Sequence, residues 1–461
     1  MQNFSIILKS QLEGAMRIDA EYYHSEFLKM ADKLSSLKSK LLSEVAIIRS
    51  GVTPAERDDE QKDGVILLKT TDIRNSILLE KNIYYFISHE IDKKMKQTRL
   101  ISGDTLVNIV GATLDVIGRT AFVPSDFPEA NITQAMALVR SIDSSFLPEY
   151  IFVFLASKIG RSQSDRIARP TGQYNLNLAE LGSFKIPLME IKKQQEIKKI
   201  IDNFYFELNN SQNKYLDAED ILLEALGLEN FNNEERLSSI INLSEIEIAG
   251  RMDAEYFQPK YEIIEDRVAK YNVQKLGDLV LMKKGIEVGA EEYQEEGKVF
   301  IRVSSMTKFG IVESDQKCLS EKLYEKLKAD FQPNKGEILL TKDATPGVAY
   351  ALKENIEGIV SGGTLRLQMK DKKVEAEYLA LCLNSVIGQM QAERDAGGSV
   401  IAHWKPAQIK NVLIPILPIE TQKKISELVI AAHEARKKSK ELLEEAKRKV
   451  EEMIEKGGGE K

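Results

Sequence analysis

One pattern in this chain is written twice, and it excludes most folds. Ile186-Pro187-Leu188-Met189-Glu190 runs into Gln194-Gln195-Glu196-Ile197, and apolar or small residues then recur at Ile197, Ile200, Phe204, Leu208, Ser211, Tyr215, Ala218, Leu222 and Ala225. Steps of three and four mark a helix with one seam for a partner helix. The pattern returns 228 positions later, as Ile414-Pro415, then Gln422, Ile425, Leu428, Ala432, Ser439, Leu443, Ala446, Val450 and Met453. Each proline blocks helix, so strand or loop should give way to helix just beyond it. Two equivalent seams predict two long helices packed on each other, each carrying a copy of what precedes it.

The repeat extends through both halves. Arg17-Ile18-Asp19-Ala20-Glu21-Tyr22-Tyr23 matches Arg251-Met252-Asp253-Ala254-Glu255-Tyr256-Phe257 at an offset of 234. Gly51 and Gly285 keep that offset. Gly103-Asp104 and Gly336-Glu337 fall at 233, and Ala112-Thr113 and Ala344-Thr345 at 232. Glu149-Tyr150, Ile159-Gly160, Arg166 and Ile186-Pro187 pair with Glu377-Tyr378, Ile387-Gly388, Arg394 and Ile414-Pro415 at 228. Scattered loop deletions produce such a drift, so the chain reads as a tandem duplication of a unit of about 230 residues.

Within each unit, Val65–Leu68, Thr105–Val110, Ala135–Val139, Val299–Val303 and Gly336–Leu340 read as strands. Glu149–Ser157 and Glu377–Ile387 read as helices preceding Gly-containing basic loops. Strands followed by helices favour α+β over a doubly wound sheet. The boundaries read as 1–188 and 229–416 for two globular domains, with spacer helices at 189–228 and 417–457. Asn230–Glu235 is the expected linker, and Gly457-Gly458-Gly459 ends the last helix.

At 461 residues there is room for two or three cores. No apolar run reaches the ~18 residues that span a bilayer. The first residues lack a signal-peptide core and cleavage site, so a cytoplasmic location without membrane partners is expected. Cys318 and Cys382 are too few for a disulfide framework or a cysteine zinc site and read as buried, inert thiols. His24, His89, His403 and His433 share no metal-ligand spacing. The net charge of −7 opposes a nucleic-acid partner at first sight. Residues 186–234, however, hold 5 basic against 10 acidic residues, so most of the acidity lies on the first seam and its tail. Basic faces elsewhere remain open.

With these motifs in place, the chain resembles the specificity subunits of type I restriction–modification systems over nearly its whole length. The resemblance rests on the duplication, on the Arg-x-Asp-Ala-Glu-Tyr opening of each half, and on the Ile-Pro…Gln…Ile start of each long helix. It implies two tandem target recognition domains held apart by two long antiparallel coiled-coil helices, with an internal pseudo-two-fold repeat. Lys192-Lys193-Gln194-Gln195 replaces the more proline-rich approach usual in that family, which leaves the geometry of the first helix start open. The family's partners are double-stranded DNA, two methyltransferase subunits and, through them, nuclease/translocase subunits. A seam of about 30 residues spans roughly 45 Å, against about 34–36 Å for one turn of B-DNA. Two half-sites about one turn apart are therefore expected. Because the halves differ widely in sequence, the target should be bipartite and asymmetric.

Base edges and phosphates are met by Arg, Lys, amides and hydroxyls. Repeated strand ends and loops offer two such clusters per half. The first is Lys69, Thr71 and Arg74, with Arg302, Ser305 and Lys308 as counterparts. The second is the loop holding Arg166, Arg169, Thr171, Gln173, Tyr174 and Asn175, matched by Arg394, Ser399, His403, Trp404 and Lys405. Any one charged residue at a strand end is more often simply solvated, and Trp404 reads more readily as a core anchor than as a base contact. The Arg17/Asp19/Glu21 and Arg251/Asp253/Glu255 sets read as structural, docking each unit's start against the opposite helix. The charged face from Glu434 to Glu455 reads as a solvated helix surface or a partner contact.

No Asn/Asp-Pro-Pro-Tyr/Phe signature, no Gly-rich cofactor loop after a strand and no phosphate loop is present. No cofactor is expected, and catalysis should lie on other polypeptides. Two further readings stay open: a repeat-built coiled-coil scaffold that binds proteins rather than DNA, and a fused restriction enzyme with a diverged signature.

Overall fold

The computed structural model describes residues 6–12, 17–55, 61, 63–74, 76–78, 84–170, 172–229, 231, 238, 240–312, 316–396 and 402–457. Two compact bodies emerge from it. One comprises Met1–Phe206 with Lys438–Lys461, the other Glu207–Lys437. Each long helix, Ile191–Leu226 and Ile419–Glu455, contributes part of its length to each body. The linker expected at Asn230–Glu235 lies, apart from Phe231, outside the described residues.

In the first body a four-stranded antiparallel sheet orders Ala46–Ser50, Met136–Ser141, Thr105–Asn108 and Thr120–Phe122. A three-stranded sheet places Val65–Leu68 between Ala130–Ile132, parallel to it, and Phe86–Ile87, antiparallel. Ser39–Leu41 pairs with Lys185–Pro187. The second body repeats all three. Val280–Lys284, Thr364–Met369, Ile338–Thr341 and Ala349–Ala351 form its four-stranded sheet. Lys298–Ile301 lies between Lys317–Leu319 and Gly358–Val360, and Val273–Lys275 pairs with Leu413–Pro415. Element starts correspond at offsets falling from 234 to 228, as the sequence repeat requires. Sheets and helices are segregated, so each body is α+β.

Two expected elements are subdivided. The run Thr105–Val110 breaks at Ile109 into strands of different sheets. The helix expected over Glu377–Ile387 is two, Ala376–Asn384 and Val386–Asp395, meeting at Ser385, whose hydroxyl caps the second. The first body has the same corner, with Pro148–Ala156 and Lys158–Ile167 meeting at Ser157. These corners explain the repeated Ile-Gly pair. A Cβ on Gly160 would lie 2.0 Å from the Phe154 carbonyl oxygen, and one on Gly388 2.3 Å from that of Leu383. Only glycine permits so close a backbone approach.

Both seam runs are helical, and their buried stripes keep the steps of three and four but depart from the sequence pattern near their ends. Ile197, Ile201, Phe204, Leu208, Ser211, Tyr215, Ala218, Leu222 and Leu226 are buried on the central helix. On the C-terminal helix they are Ile425, Val429, Ala432, Ala435, Ser439, Leu443, Ala446, Val450 and Ile454. Ile201, Leu226, Val429 and Ile454 thus replace Ile200, Ala225, Leu428 and Met453, each one residue further on. In the first body the start of the central helix lies against the end of the C-terminal helix, where Glu196 pairs with Lys449 at 2.8 Å. In the second body the end of the central helix (Tyr215, Ala218, Leu222, Leu226) shares one core with the start of the C-terminal helix (Ile425, Val429, Ala432). Antiparallel helices pair in this way.

The start of each long helix is fixed by a buried amide. Gln194, fully buried, donates to the Met189 and Ser145 carbonyls (2.8 and 2.7 Å) and accepts from the Leu147 N–H (2.8 Å). Gln422, equally buried, donates to the Leu417 carbonyl (2.8 Å) and accepts from the Glu375 N–H (3.2 Å). The preceding proline carbonyls are held in the same fashion, Pro187 by the Tyr150 hydroxyl (2.8 Å) and Pro415 by that of Tyr378 (2.7 Å). The lysine-rich approach therefore keeps both bonds of the second helix start at the first and adds one, from Gln194 to the Ser145 carbonyl.

The opening motifs are structural, but they dock differently from the expectation. Arg17 pairs with Asp19 and donates to the Ile167 carbonyl at 2.9 Å. Arg251 pairs with Asp253 and reaches the Arg394 carbonyl at 3.3 Å. Each thus satisfies the C-terminal carbonyls of a short helix in its own half, not the opposite long helix. Unpaired carbonyls and negative helix-end potential make that terminus a guanidinium site.

In the second body His433 is buried among Tyr215, Phe309 and Tyr350, with its Nε2–H donating to the Lys308 carbonyl at 3.1 Å. Burial pushes its imidazole down to about 4, against the opposing effect of the Lys308 carbonyl. An unfolded histidine takes up its proton at about 6.5. The unfolded state therefore binds the extra proton first as pH falls. The contribution of His433 is full above about 6.5 and lost progressively toward 4, by about 2 kcal/mol between pH 7 and pH 5. Denaturant unfolding of the second body should show this loss, and His433→Gln should lack that share of it; an equal loss in the variant would refute the assignment. A second prediction concerns the amide anchor. Gln422→Leu strands the half-buried Glu375 N–H and the buried Leu417 carbonyl and should cost about 1–3 kcal/mol. Exposed Gln195→Leu should stay within about 0.5 kcal/mol in the same unfolding measurement.

Candidate nucleic-acid interface

The strand Val65–Leu68 ends at Lys69, where the chain makes one tight turn over Thr70–Asp72. The Lys69 N–H donates to Asp72 Oδ2 at 2.8 Å, and its ammonium lies 3.8 Å from the Tyr85 ring centre. Thr71 is exposed and donates to Asp72 Oδ1 at 3.3 Å. Arg74 follows, half-buried, in a two-residue strand paired with Ile77–Leu78. The Thr70 carbonyl accepts a hydrogen bond from Asn108 Nδ2 at 3.0 Å. Asn108 is fully buried at the end of Thr105–Asn108. Just beyond it, Val110–Gly111 pairs with Tyr174–Asn175, which pairs in turn with Arg169–Pro170. Asn108 therefore links the two clusters that the sequence separates by about a hundred residues. Gln173 and Asn175 are exposed and Tyr174 is half-buried. Thr171 and the Arg169 side chain lie outside the described residues.

The second half builds the same frame with different side chains. Lys298–Ile301 leads into a turn over Val303–Ser305. The Arg302 N–H donates to Ser305 Oγ at 3.1 Å, and the Ser305 hydroxyl donates back to the Arg302 carbonyl at 2.8 Å. Arg302 lies 5.8 Å from the Tyr293 ring centre. Beside this turn is Gly363, where a Cβ would sit 2.8 Å from Val303 Cγ2 and 3.5 Å from Asp343 Oδ2. The missing side chain lets the turn approach Asp343. Asp343 makes an antiparallel bridge with His403, as Val110 does with Asn175 in the first half. His403 Nδ1 is 2.8 Å from Asp343 Oδ1, and Lys342 Nζ is 2.5 Å from Oδ2. Burial pushes the Asp343 carboxyl up, but the hydrogen bonds from Lys342 and His403 outweigh it and leave it below the ordinary carboxylate range. Ala344 then takes a φ of 60° while the Thr345 N–H closes on the Asp343 carbonyl at 2.7 Å. A left-handed non-glycine residue in a three-residue turn is strained by about 1–3 kcal/mol, and such strain concentrates at functional sites.

The candidate residues thus separate into groups. In the first half the turn that follows Lys69 and the strand Tyr174–Asn175 are both tied to the segment Asn108–Gly111, and in the second half the turn that follows Arg302 and the bridge residue His403 both meet Asp343. Ser305 is buried, with its hydroxyl closing its own turn. Lys308 lies in the hairpin Met306–Thr307/Gly310–Ile311, with its ammonium 4.5 Å from the Tyr215 ring centre, on the central helix. Ser399 lies outside the described residues.

Three sequence expectations are corrected. Arg166 and Arg394 are not in loops but in the last turns of Lys158–Ile167 and Val386–Asp395. Arg166 donates to the Tyr22 carbonyl at 3.1 Å and stacks on that ring with Arg17, their Cζ atoms 4.2 and 4.3 Å from its centre. Arg394 pairs with Glu265 at 2.6 Å and stacks with Arg251 on Tyr256. Both guanidiniums hold the opening motif. Trp404, 1% exposed, is part of the second body's core, so its ring has no open face for a base. Sequence reasoning missed Asn108, Lys342 and Asp343. Their only signal was polarity directly after an apolar strand.

Among the described residues no group of His, Cys, Asp and Glu could hold a metal, and no helix is long and apolar enough to cross a membrane.

The family model for the type I restriction modification DNA specificity domain matches residues 35–218 and again 269–445, one copy in each half. A type I restriction enzyme specificity subunit of Escherichia coli (EcoBI) is 30% identical over 147 residues, 32% of this chain and 30% of that protein. The match therefore spans less than a third of the E. coli relative. A putative type I restriction enzyme specificity subunit of Methanocaldococcus jannaschii (MjaX) is 22% identical over 415 residues, 88% of this chain and 90% of that one. Among solved structures, the S subunit of a type I restriction–modification system from M. genitalium covers 92% of this chain and 96% of its own at 13% identity and a TM-score of 0.40. With the domain matched twice, over most of its length and in register with its internal repeat, the chain belongs to the type I restriction–modification DNA specificity family.

Proposed function

We propose that this specificity subunit reads a bipartite, asymmetric DNA target, one half-site for each half of the chain. The observation that carries the reading is the strand-end frame built twice with different side chains. Asn175 and His403 occupy the same bridged position in the two halves, and Lys69 stands where Arg302 stands. An unchanged frame with changed polar groups supports recognition of two different base sequences.

Residues 1–188 and 229–416 are the two target recognition domains, and the long helices are the antiparallel coiled-coil spacer between them. A 36-residue helix is about 54 Å long, long enough for half-sites separated by one turn of B-DNA, about 34–36 Å. The chain is not itself an enzyme. It recruits two methyltransferase subunits, one per pseudo-repeat, and through them nuclease/translocase subunits, in the cytoplasm.

The test is co-expression with the methyltransferase encoded beside it, in a host free of DNA methylation, followed by single-molecule mapping of modified adenines. One split, asymmetric motif is expected, and replacing residues 1–188 with those of a relative should change one half-site and leave the other. A complex that forms but modifies no motif would favour the scaffold that binds proteins alone.

A further inference from the structure

Asp343 and His403 define a hydrogen-bonding state that the residue types alone do not. The Asp343 carboxylate is shared. Lys342, only 10% exposed, donates to Oδ2, and Oδ1 faces His403 Nδ1 at 2.8 Å. A carboxylate held ionised by a lysine can only accept, so Nδ1 must carry the imidazole proton. In the neutral ring Nε2 is then an acceptor. The His403 side chain is 60% exposed, and Nε2 has no hydrogen-bond partner among the described residues. The backbone around it is well held. Trp404 N–H donates to the Lys342 carbonyl, Ala344 N–H to that of Ala402, and Lys342 N–H to that of Gly363. The buried Trp404 ring anchors the next position. When its ring is neutral, an exposed imidazole whose Nδ1–H is held by Asp343 presents Nε2 as a directional single acceptor.

We propose that His403, held by Asp343 with its proton on Nδ1, reads the exocyclic amino group of an adenine or a cytosine through Nε2. This rests on the DNA-reading function proposed above. In the major groove those two bases alone present amino donors, adenine N6 and cytosine N4, whereas guanine and thymine present acceptors at the corresponding edges. His403 therefore discriminates amino-bearing from carbonyl-bearing bases at one position of the half-site read by the second half. Asp343 is a positioning residue that sets the sign of this choice. Lys342 makes the sign reversible. In Asp343→Asn, Lys342 can only donate, so the amide oxygen turns toward it and the NH2 faces Nδ1. Nδ1 must then accept, the imidazole proton moves to Nε2, and the outward atom becomes a donor suited to guanine or thymine.

The experiment uses the full chain co-expressed with the adjacent methyltransferase, incubated at pH 8 with randomised duplexes that are sequenced after selection. The wild type should select adenine or cytosine at one position of the second half-site. His403→Ala should lose that selection by about 5- to 150-fold, with every other position unchanged. Asp343→Asn should switch the same position to guanine or thymine, which a merely structural role of Asp343 would not produce. Variants that keep the wild-type motif, or that lose selectivity at all positions alike, overturn the proposal while leaving the chain's DNA-reading function intact. A wild type that selects no sequence overturns that function and this inference with it.

Discussion

Everything in this molecule is referred to two buried side-chain amides. Gln194 and Gln422 each tie the first turn of a long helix to the loop that opens the preceding short helix. A helix start leaves several N–H groups and the adjoining loop carbonyls in need of partners. Here one glutamine answers on both sides, donating and accepting, in a place closed to water. The proline carbonyls just upstream, held by Tyr150 and Tyr378, fix the strand from which each helix departs. Fixing both strand and helix leaves little freedom in the direction the helix takes, and the seam residues follow from that direction.

The rest of each half is a rigid frame whose variable positions lie at one end of its sheets. One ion pair in the interior of the frame differs between the halves as a matched set. In the first half, buried Asp104 pairs with Arg140 between adjacent strands. In the second, Glu337 occupies the place of Asp104, and its partner is Arg366, on the strand equivalent to that of Arg140. A buried charge without its counterion is costly, so replacing one partner of such a pair alone would destabilise the half that holds it. At the strand ends the constraint is weaker, because side chains there face water and need only leave the turn intact. Asn175 and His403 can therefore differ while the bridges beneath them stay the same. Recognition can diverge where packing does not oppose it.

Much of this was legible without coordinates. The duplication, the two long helices, the α+β character of each unit and most strands follow from periodicity, prolines and repeated pairs, all local and cumulative signals. The buried stripe runs through Ile201, Leu226, Val429 and Ile454, one residue beyond the Ile200, Ala225, Leu428 and Met453 that the periodicity picks out. Arg166 and Arg394 were assigned to loops because basic residues beside glycines resemble a binding loop. Their partners, Tyr22 and Tyr256, lie more than a hundred residues away. Trp404 shows the same limit, since nothing local distinguishes an anchoring ring from a stacking one.

The sequence by itself determined what is repeated, how long the helices are and which residue types stand at the strand ends, because these depend on order along the chain. Only the tertiary structure decided which of those residues meet. Asn108 joins the Thr70 turn to the strand that pairs with Asn175, and Asp343 stands between Lys342 and His403. A hydrogen bond acts over about 3 Å, and residues 60 positions apart come within that range only through sheet register. The proton on His403 is therefore a property of the fold, not of histidine.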